Sequence, residues 1–344
     1  MKVFYINNSY TGCAYVRSMM PALYNGWKTD ITNLTDKTPN RKDIAHDVAN
    51  SDVIVFHRPD DQERLEVAVK LKKAGKKIVY DNDDTYKVDD GNTLGKFYHK
   101  KNGMLDRFIR YADLITTTTE FLAEEYRELN KNVVVLPNCV DPNDWDTPLR
   151  NEGDKVRIGI FGSVANNGDS EHIKDLLIEL GNRDDVQLVL FGLQKKTKLV
   201  KKLYKKEFEY WEKINIEWHP VVPMYDYFDK LNSLKLDFAL IPRKDNYFNR
   251  CKSNIKYLEA GMLEIPVIAQ SFSDKKSPYD YTIKHGKTGY LANTEDEFRK
   301  YAEKLIKDKK LRRQMGKNAY EDVVKNYNIL NKFKDWEYAY NQIK

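Results

Sequence analysis

Four residues close together, Lys252, Ser253, Asn254 and Glu259, have the types and spacing to hold an anion and a sugar at once. The Ser253 hydroxyl can cap a helix by accepting from backbone N–H groups two or three residues on. A helix N-terminus that faces a loop attracts anions through its unpaired amides and its dipole. Lys252 stands at that end, and Arg243, Lys244 and Arg250 come just before it. Glu259 follows about two turns in, where its carboxylate can accept from sugar hydroxyls. A phosphate at the tip and hydroxyls deeper along the helix describe a nucleoside diphosphate sugar. The plainer alternative is a simple cap and a solvated helix carboxylate, and spacing alone leaves both open.

A second set lies far upstream. Asp81, Asp83 and Asp84 crowd into four residues, and such carboxylates repel one another unless something neutralises them. At a strand end they could orient or deprotonate an acceptor hydroxyl, or hold Mg²⁺ through oxygens. His57 closes the run Val53-Ile54-Val55-Phe56, where functional groups collect, although a lone histidine there is more often structural. Gly162 and Ser163 follow another apolar run, and glycine lets backbone amides approach an anion with no Cβ in the way.

These residues need elements to place them. Asp237–Ile241 is an apolar run of strand length stopped by Pro242, a helix begins near Ser253, and Pro266 opens the strand 267–269. Upstream, strands are predicted at 3–6, 51–56, 77–80, 112–119 and 133–136, alternating with helices at 14–23, 62–74, 104–111 and 120–129. A polar stretch at 142–154, with Pro142, Pro148 and Gly153, reads as a linker. A second alternation starts at 156–161. It continues through 186–192, a lysine-rich amphipathic segment at 195–213, strand 214–218 and helices at 295–307 and 309–325. Alternating strands and helices predict two open α/β domains with ligands at the carboxyl ends of the strands.

Composition narrows the class. A chain of 344 residues exceeds what one core normally holds. Its 41% hydrophobic and 32% charged content suits a globular protein, and no run has membrane-span length. Cys13, Cys139 and Cys251 are scattered and lack metal spacing, so free thiols and a cytoplasmic location are expected. The start MKVFYINNSY reads as a strand and has no signal-peptide core. Net charge +6 permits an anionic partner without identifying one. The lysine-rich helix at 195–206 is a solvated surface, or a peripheral contact to a membrane or nucleic acid.

The segment KSNIKYLEAGMLEIPVIA resembles the donor-binding segment of GT-B glycosyltransferases of family 4, the group 1 glycosyl transferases. HGKTGYL at 285–291, ADLITTTTEFLAEEY with VVVLPNCVDPNDW, and the tail from Arg312 extend the resemblance over nearly the whole chain. It implies two Rossmann-like domains facing across a cleft, 1–148 on the acceptor side and 149–325 binding the nucleotide sugar. A final helix, 326–344, would return to the first domain. The family signature is Glu-x7-Glu. Glu259 matches the second glutamate, which holds the nucleotide ribose, and Cys251 stands where the first would be. A branch reading Lys-Ser-x-x-Lys-x-x-Glu fits better, and that branch carries an Asp-Asp pair near Asp81–Asp84.

By position the resemblance assigns Gly162, Ser163, Arg243, Lys252, Ser253, Asn254 and Glu259 to the donor. It places Gly12, Tyr15, Arg17 and His57 on the acceptor side, and leaves Asp81, Asp83, Asp84 and Lys252 as catalytic candidates. It implies a retaining hexosyl transfer from a UDP- or GDP-sugar, with no required cofactor and with magnesium inessential. The acceptor would be a surface glycan, a lipid-linked glycan or a hydroxymethylated DNA base. A non-catalytic nucleotide-sugar-binding subunit and a GT-B sugar epimerase are the alternatives.

Overall fold

The computed structural model describes residues 1–30, 41–88, 100–162, 168–193 and 205–343. Two six-stranded sheets, every pairing in them parallel, form the framework. The first contains β1 (Val3–Asn7), β2 (Lys28–Thr29), β3 (Val53–His57), β4 (Lys77–Asp81), β5 (Leu114–Thr117) and β6 (Val133–Val135), in the order β2-β1-β3-β4-β5-β6. The second contains β7 (Val156–Phe161), β8 (Val186–Phe191), β9 (Ile216–His219), β10 (Phe238–Ile241), β11 (Val267–Gln270) and β12 (Tyr290–Ala292), in the order β12-β11-β10-β7-β8-β9. Helices cover both faces, which is why β3 and β10 are buried at every residue and read as unbroken apolar runs.

In each sheet the strand order reverses once. The reversal falls between β1 and β3 in the first sheet and between β7 and β10 in the second. Ligand crevices of open parallel sheets lie outside the carboxyl ends of the strands at such a switch. His57 ends β3, in register with Asn7 of β1 and Asp81 of β4. Gly162 follows β7, and Pro242 and Arg243 follow β10. The fold thus brings both chemical sets named above to switch points.

The helix Ile329–Asn341 crosses back to the first sheet, as the resemblance implies. Its Ile329, Trp336, Ala339 and Tyr340 join Val3, Tyr5, Val53 and Val55 in one core cluster. The Tyr340 and Tyr5 hydroxyls lie 2.9 Å apart in that core. Backbone exchange between Val140 and residues 327–329 ties the crossing point.

The loop 243–252 holds a short helix, Tyr247–Arg250, because the Asn246 side chain accepts from the Asn249 amide and nucleates a turn. The segment before Leu291 is mostly turn, and only Tyr290–Ala292 pairs as a strand. Of the lysine-rich segment, 194–204 lies outside the described residues, and the helix Lys205–Trp211 follows it.

Candidate active site

The helix expected near Ser253 is Ile255–Met262. It buries Tyr257, Leu258, Ala260, Gly261 and Met262, and so presents Lys256 and Glu259 on its other face. Gly261 lets it press onto the Lys309–Asn326 helix, since a Cβ there would lie 2.7 Å from Val323 Cγ2. The N-cap is Asn254, one residue later than expected, and no side chain caps the first turn. Asn254 instead donates to Thr282 Oγ1 at 3.1 Å, and Ser253 Oγ accepts from Asn138 Nδ2 at 2.9 Å. The Tyr257 amide donates to the Asn254 carbonyl at 2.8 Å, which leaves the Ile255 and Lys256 amides of the first turn with capacity for an anion.

Lys256 is the second residue of the helix, with Nζ 6.0 Å from the Phe161 ring centroid. With Gly162 and Asp169 it lines a cavity of about 50 Å³ at the ends of β7 and β10. Desolvation, then the nearby Arg243 guanidinium, push its pKa well below the ordinary lysine value. Gly162 has φ +151°, and a Cβ on the neighbouring Gly192 would meet its carbonyl oxygen at 2.5 Å, so the turns after β7 and β8 need glycine. Arg243 is buried, and its Nη1 donates to Asp169 Oδ2 at 2.9 Å. Asn249 and the Lys244 amide also donate to Asp169, which pins this wall.

Glu259 accepts from the Tyr227 hydroxyl at 2.9 Å. Tyr227 stacks on Phe191, with centroids 5.5 Å apart, and so fixes the carboxylate. Burial pushes the Glu259 pKa up to about 7, against the opposing pull of Tyr227 and Lys256. Tyr225, two residues before Tyr227, is 74% exposed.

The first-domain cluster is knitted by ion pairs. Asp81 is fully buried and accepts from Arg17 Nη2 at 2.6 Å, Thr116 Oγ1 at 2.6 Å and His57 Nδ1 at 2.9 Å. Arg17 also donates to the carbonyl of Leu136 and to Asn138 Oδ1. Arg58 spans Asp83 (2.5 Å) and Asp84 (2.7 Å), and Lys252 reaches across the cleft to Asp84 at 2.6 Å. Burial opposes ionisation of Asp81 and Asp83. Burial is outweighed jointly, by Arg17 and His57 at Asp81 and by Arg58, His57 and Arg17 at Asp83, and both carboxyls sit below the usual carboxylate range. Among the described residues no group of three or more His, Cys, Asp or Glu side chains could hold a metal ion.

Several expectations are corrected by this geometry. Asp81 cannot touch an acceptor, because its oxygens are enclosed and spent on Arg17, His57 and Thr116. Arg17 is likewise enclosed and does not face an acceptor. The Tyr15 hydroxyl donates to Asp144 at 2.5 Å and its ring packs on Phe228, so Tyr15 joins the two halves. Asp83 and Asp84 are neutralised by Arg58 and Lys252. The structure brings Asp84, Lys252 and Ser253 to where the halves meet, with Gly12 against Met224 from the other half, whereas His57 lines a cavity within the first half. Ser163 lies outside the described residues. Cys251 is fully buried within the first half's core cluster and is not turned toward a donor sugar. Sequence reasoning missed Lys256 and Tyr227 as site residues. Lys256 is the second lysine of Lys-Ser-x-x-Lys-x-x-Glu, a signal already present in the spacing, whereas nothing local marks Tyr227.

Comparison with known proteins agrees with this architecture. Residues 173–337 match the family model described as glycosyl transferase-like. HepE of Anabaena, solved with UDP-glucose, superposes with a TM-score of 0.71 at 13% identity, covering 99% of this chain and 100% of that one. Sucrose-phosphate synthase of Thermosynechococcus elongatus gives 0.71 at 13%, covering 100% and 99%. The lipopolysaccharide outer core galactosyltransferase WaaB gives 0.62 at 15%, with 99% of each chain covered. No curated protein sequence matches the chain. Among the described residues no helix is long and apolar enough to cross a membrane.

Proposed function

We propose that this GT-B chain, similar to the group 1 glycosyltransferases, moves a hexosyl group from a nucleoside diphosphate sugar to an acceptor hydroxyl. The observation that carries the reading is the Ile255–Met262 helix. Its first turn lacks a side-chain cap, Lys256 beside it has a depressed pKa, and Glu259 is set deeper by Tyr227. A diphosphate on the first turn would restore the charged form of Lys256. It would also be stabilised there as negative charge grows on it during departure. Glu259, ionised, would accept from the ribose hydroxyls. HepE was solved with UDP-glucose, which favours a UDP-sugar, with GDP-sugars the next choice.

In the transfer the bond from the anomeric carbon to the diphosphate oxygen breaks, and that carbon bonds to the acceptor oxygen. The leaving diphosphate keeps the electron pair. Retention is the outcome the family resemblance implies, and magnesium is inessential to this reading. Cytoplasmic location and an acceptor among surface glycans, lipid-linked glycans or hydroxymethylated DNA remain part of the proposal.

A thermal-shift screen of UDP, GDP, ADP and TDP with their sugars tests it, because a ligand bound to the native state raises Tm by mass action. One nucleotide should stabilise the protein, and Glu259→Ala should abolish both that shift and donor turnover. No stabilisation by any nucleotide would overturn the proposal. The burial of Cys251 favours one other reading, a nucleotide-sugar binder without turnover, since the donor sugar loses the carboxylate usual at that position. Release of free nucleoside diphosphate from the donor would exclude that reading.

A further inference from the structure

Two residues of strong capping type, Ser253 and Asn254, stand before the Ile255–Met262 helix, and neither side chain caps it. Both are held elsewhere. Asn254 Nδ2 donates to Thr282 Oγ1 at 3.1 Å, and Asn138 Nδ2 donates to Ser253 Oγ at 2.9 Å. The second of these bonds crosses from one half of the molecule to the other. Asn138 lies just after β6 in the first half, 115 residues before Ser253. Asn138 is 4% exposed and Ser253 8%, so their bond is shielded from competing water.

The orientation of the Asn138 amide is dictated by its other neighbour. Arg17 Nη1 donates to Asn138 Oδ1 at 3.4 Å, and a guanidinium can only donate. Oδ1 must therefore face Arg17, which leaves Nδ2 to face Ser253. Arg17 is itself fixed by Asp81 at 2.6 Å and by the Leu136 carbonyl. A chain of buried contacts thus runs from Asp81 through Arg17 and Asn138 and ends on the Ser253 hydroxyl.

What that hydroxyl would do if released follows from its place in the sequence. A serine oxygen readily accepts from amides two and three residues on. From Ser253 those are the amides of Ile255 and Lys256, the pair left open in the first turn. A self-cap there would occupy the groups that an anion needs. It would do so beside the cavity lined by Gly162, Asp169 and Lys256.

We infer that Asn138 is a positioning residue: it holds the Ser253 hydroxyl off the first turn and so keeps the Ile255 and Lys256 amides open for the diphosphate of the nucleotide sugar. The inference rests on the proposed transfer only for naming that anion.

The test reads both amides directly, by hydrogen exchange of the ¹⁵N-labelled full chain followed by NMR, and reads UDP affinity by calorimetry. Asn138→Ala should slow exchange at Ile255 or Lys256 about fivefold and weaken UDP by a similar factor, the scale of one helix cap. Adding Ser253→Ala to that variant should reverse both effects, because no hydroxyl is left to fold back. A general loosening of the contact between the halves would persist in the double variant. Unchanged exchange in Asn138→Ala, or a UDP defect that survives the added Ser253→Ala, would overturn the inference. If Asn138→Ala does not fold, Ser253→Ala alone decides. Its exchange at the two amides should match the wild-type protein, and acceleration would show that the hydroxyl already caps them, which overturns the inference. Slowed exchange that Ser253→Ala reverses, with no nucleotide binding to the wild-type protein, would instead uphold the hold on Ser253 and sink the proposed transfer.

Discussion

The two halves use the same architecture and treat charge in opposite ways. Among the described residues at the first switch point, cations meet anions: Arg17 with Asp81, Arg58 with Asp83 and Asp84, Lys101 with Asp60. At the second, Lys256 is pushed toward its neutral form and Glu259 toward its protonated form, each chiefly by desolvation. A region whose charges are balanced internally is a finished scaffold. A region whose ionisable groups are held away from their preferred states is set up to gain from a ligand that supplies the missing partner.

The comparison breaks most readily at Arg17. Arg17→Met leaves Asp81 buried without its cation, and removing one partner of such a pair costs about 3–5 kcal/mol. A fall in Tm of several degrees, read by circular dichroism, is expected, and an unchanged Tm would show that the first half is not braced by charge. Lys256→Met should act with the opposite sign on stability. The free protein should melt no lower, because a lysine whose charged form is disfavoured by burial is removed. UDP affinity measured by calorimetry should drop about 10- to 100-fold, the worth of roughly 1.5–3 kcal/mol for a charge-assisted contact. If Lys256→Met melted like Arg17→Met, the contrast between the halves would be lost.

Acidity sharpens the contrast further. The folded pKa of Glu259 is raised, so its contribution to stability is fully present below the unfolded value and is lost as pH rises through about 7. Ligand binding runs the other way, since ribose hydroxyls want the carboxylate. UDP affinity should fall by up to about tenfold per pH unit below 7, and fall again at high pH as Lys256 gives up its proton. In Glu259→Gln the acid limb should vanish, and the free protein should be slightly more stable at pH 8. The smallest effect belongs to the pair that joins the halves. Asp84→Asn releases Lys252 from a partly exposed ion pair worth about 1 kcal/mol or less. UDP binding should tighten by two- to fivefold at low salt, with the gain shrinking as salt rises.

Most of the framework was legible because parallel strands buried on both faces leave unmistakable apolar runs, as at 53–56 and 238–241. The donor helix was legible too, since Lys252, Ser253 and Glu259 are close in sequence. What could not be read was pairing across distance. Asp81 looked like a reactive carboxylate because Arg17, its partner, is 64 residues away. Tyr227 meets Glu259 across 32 residues with no motif to announce it. The helix Tyr247–Arg250 hid in a polar stretch because its only local mark is the Asn246 cap.

The returning C-terminal helix has a consequence for how the protein is made. Tyr340, which completes the core around β1, is synthesised 335 residues after its partner Tyr5. The first sheet therefore leaves the ribosome with part of one apolar face uncovered and waits through the translation of the entire second half. Until the last helix emerges, the apolar residues that Trp336, Ala339 and Tyr340 cover in the finished core have no partner from that helix.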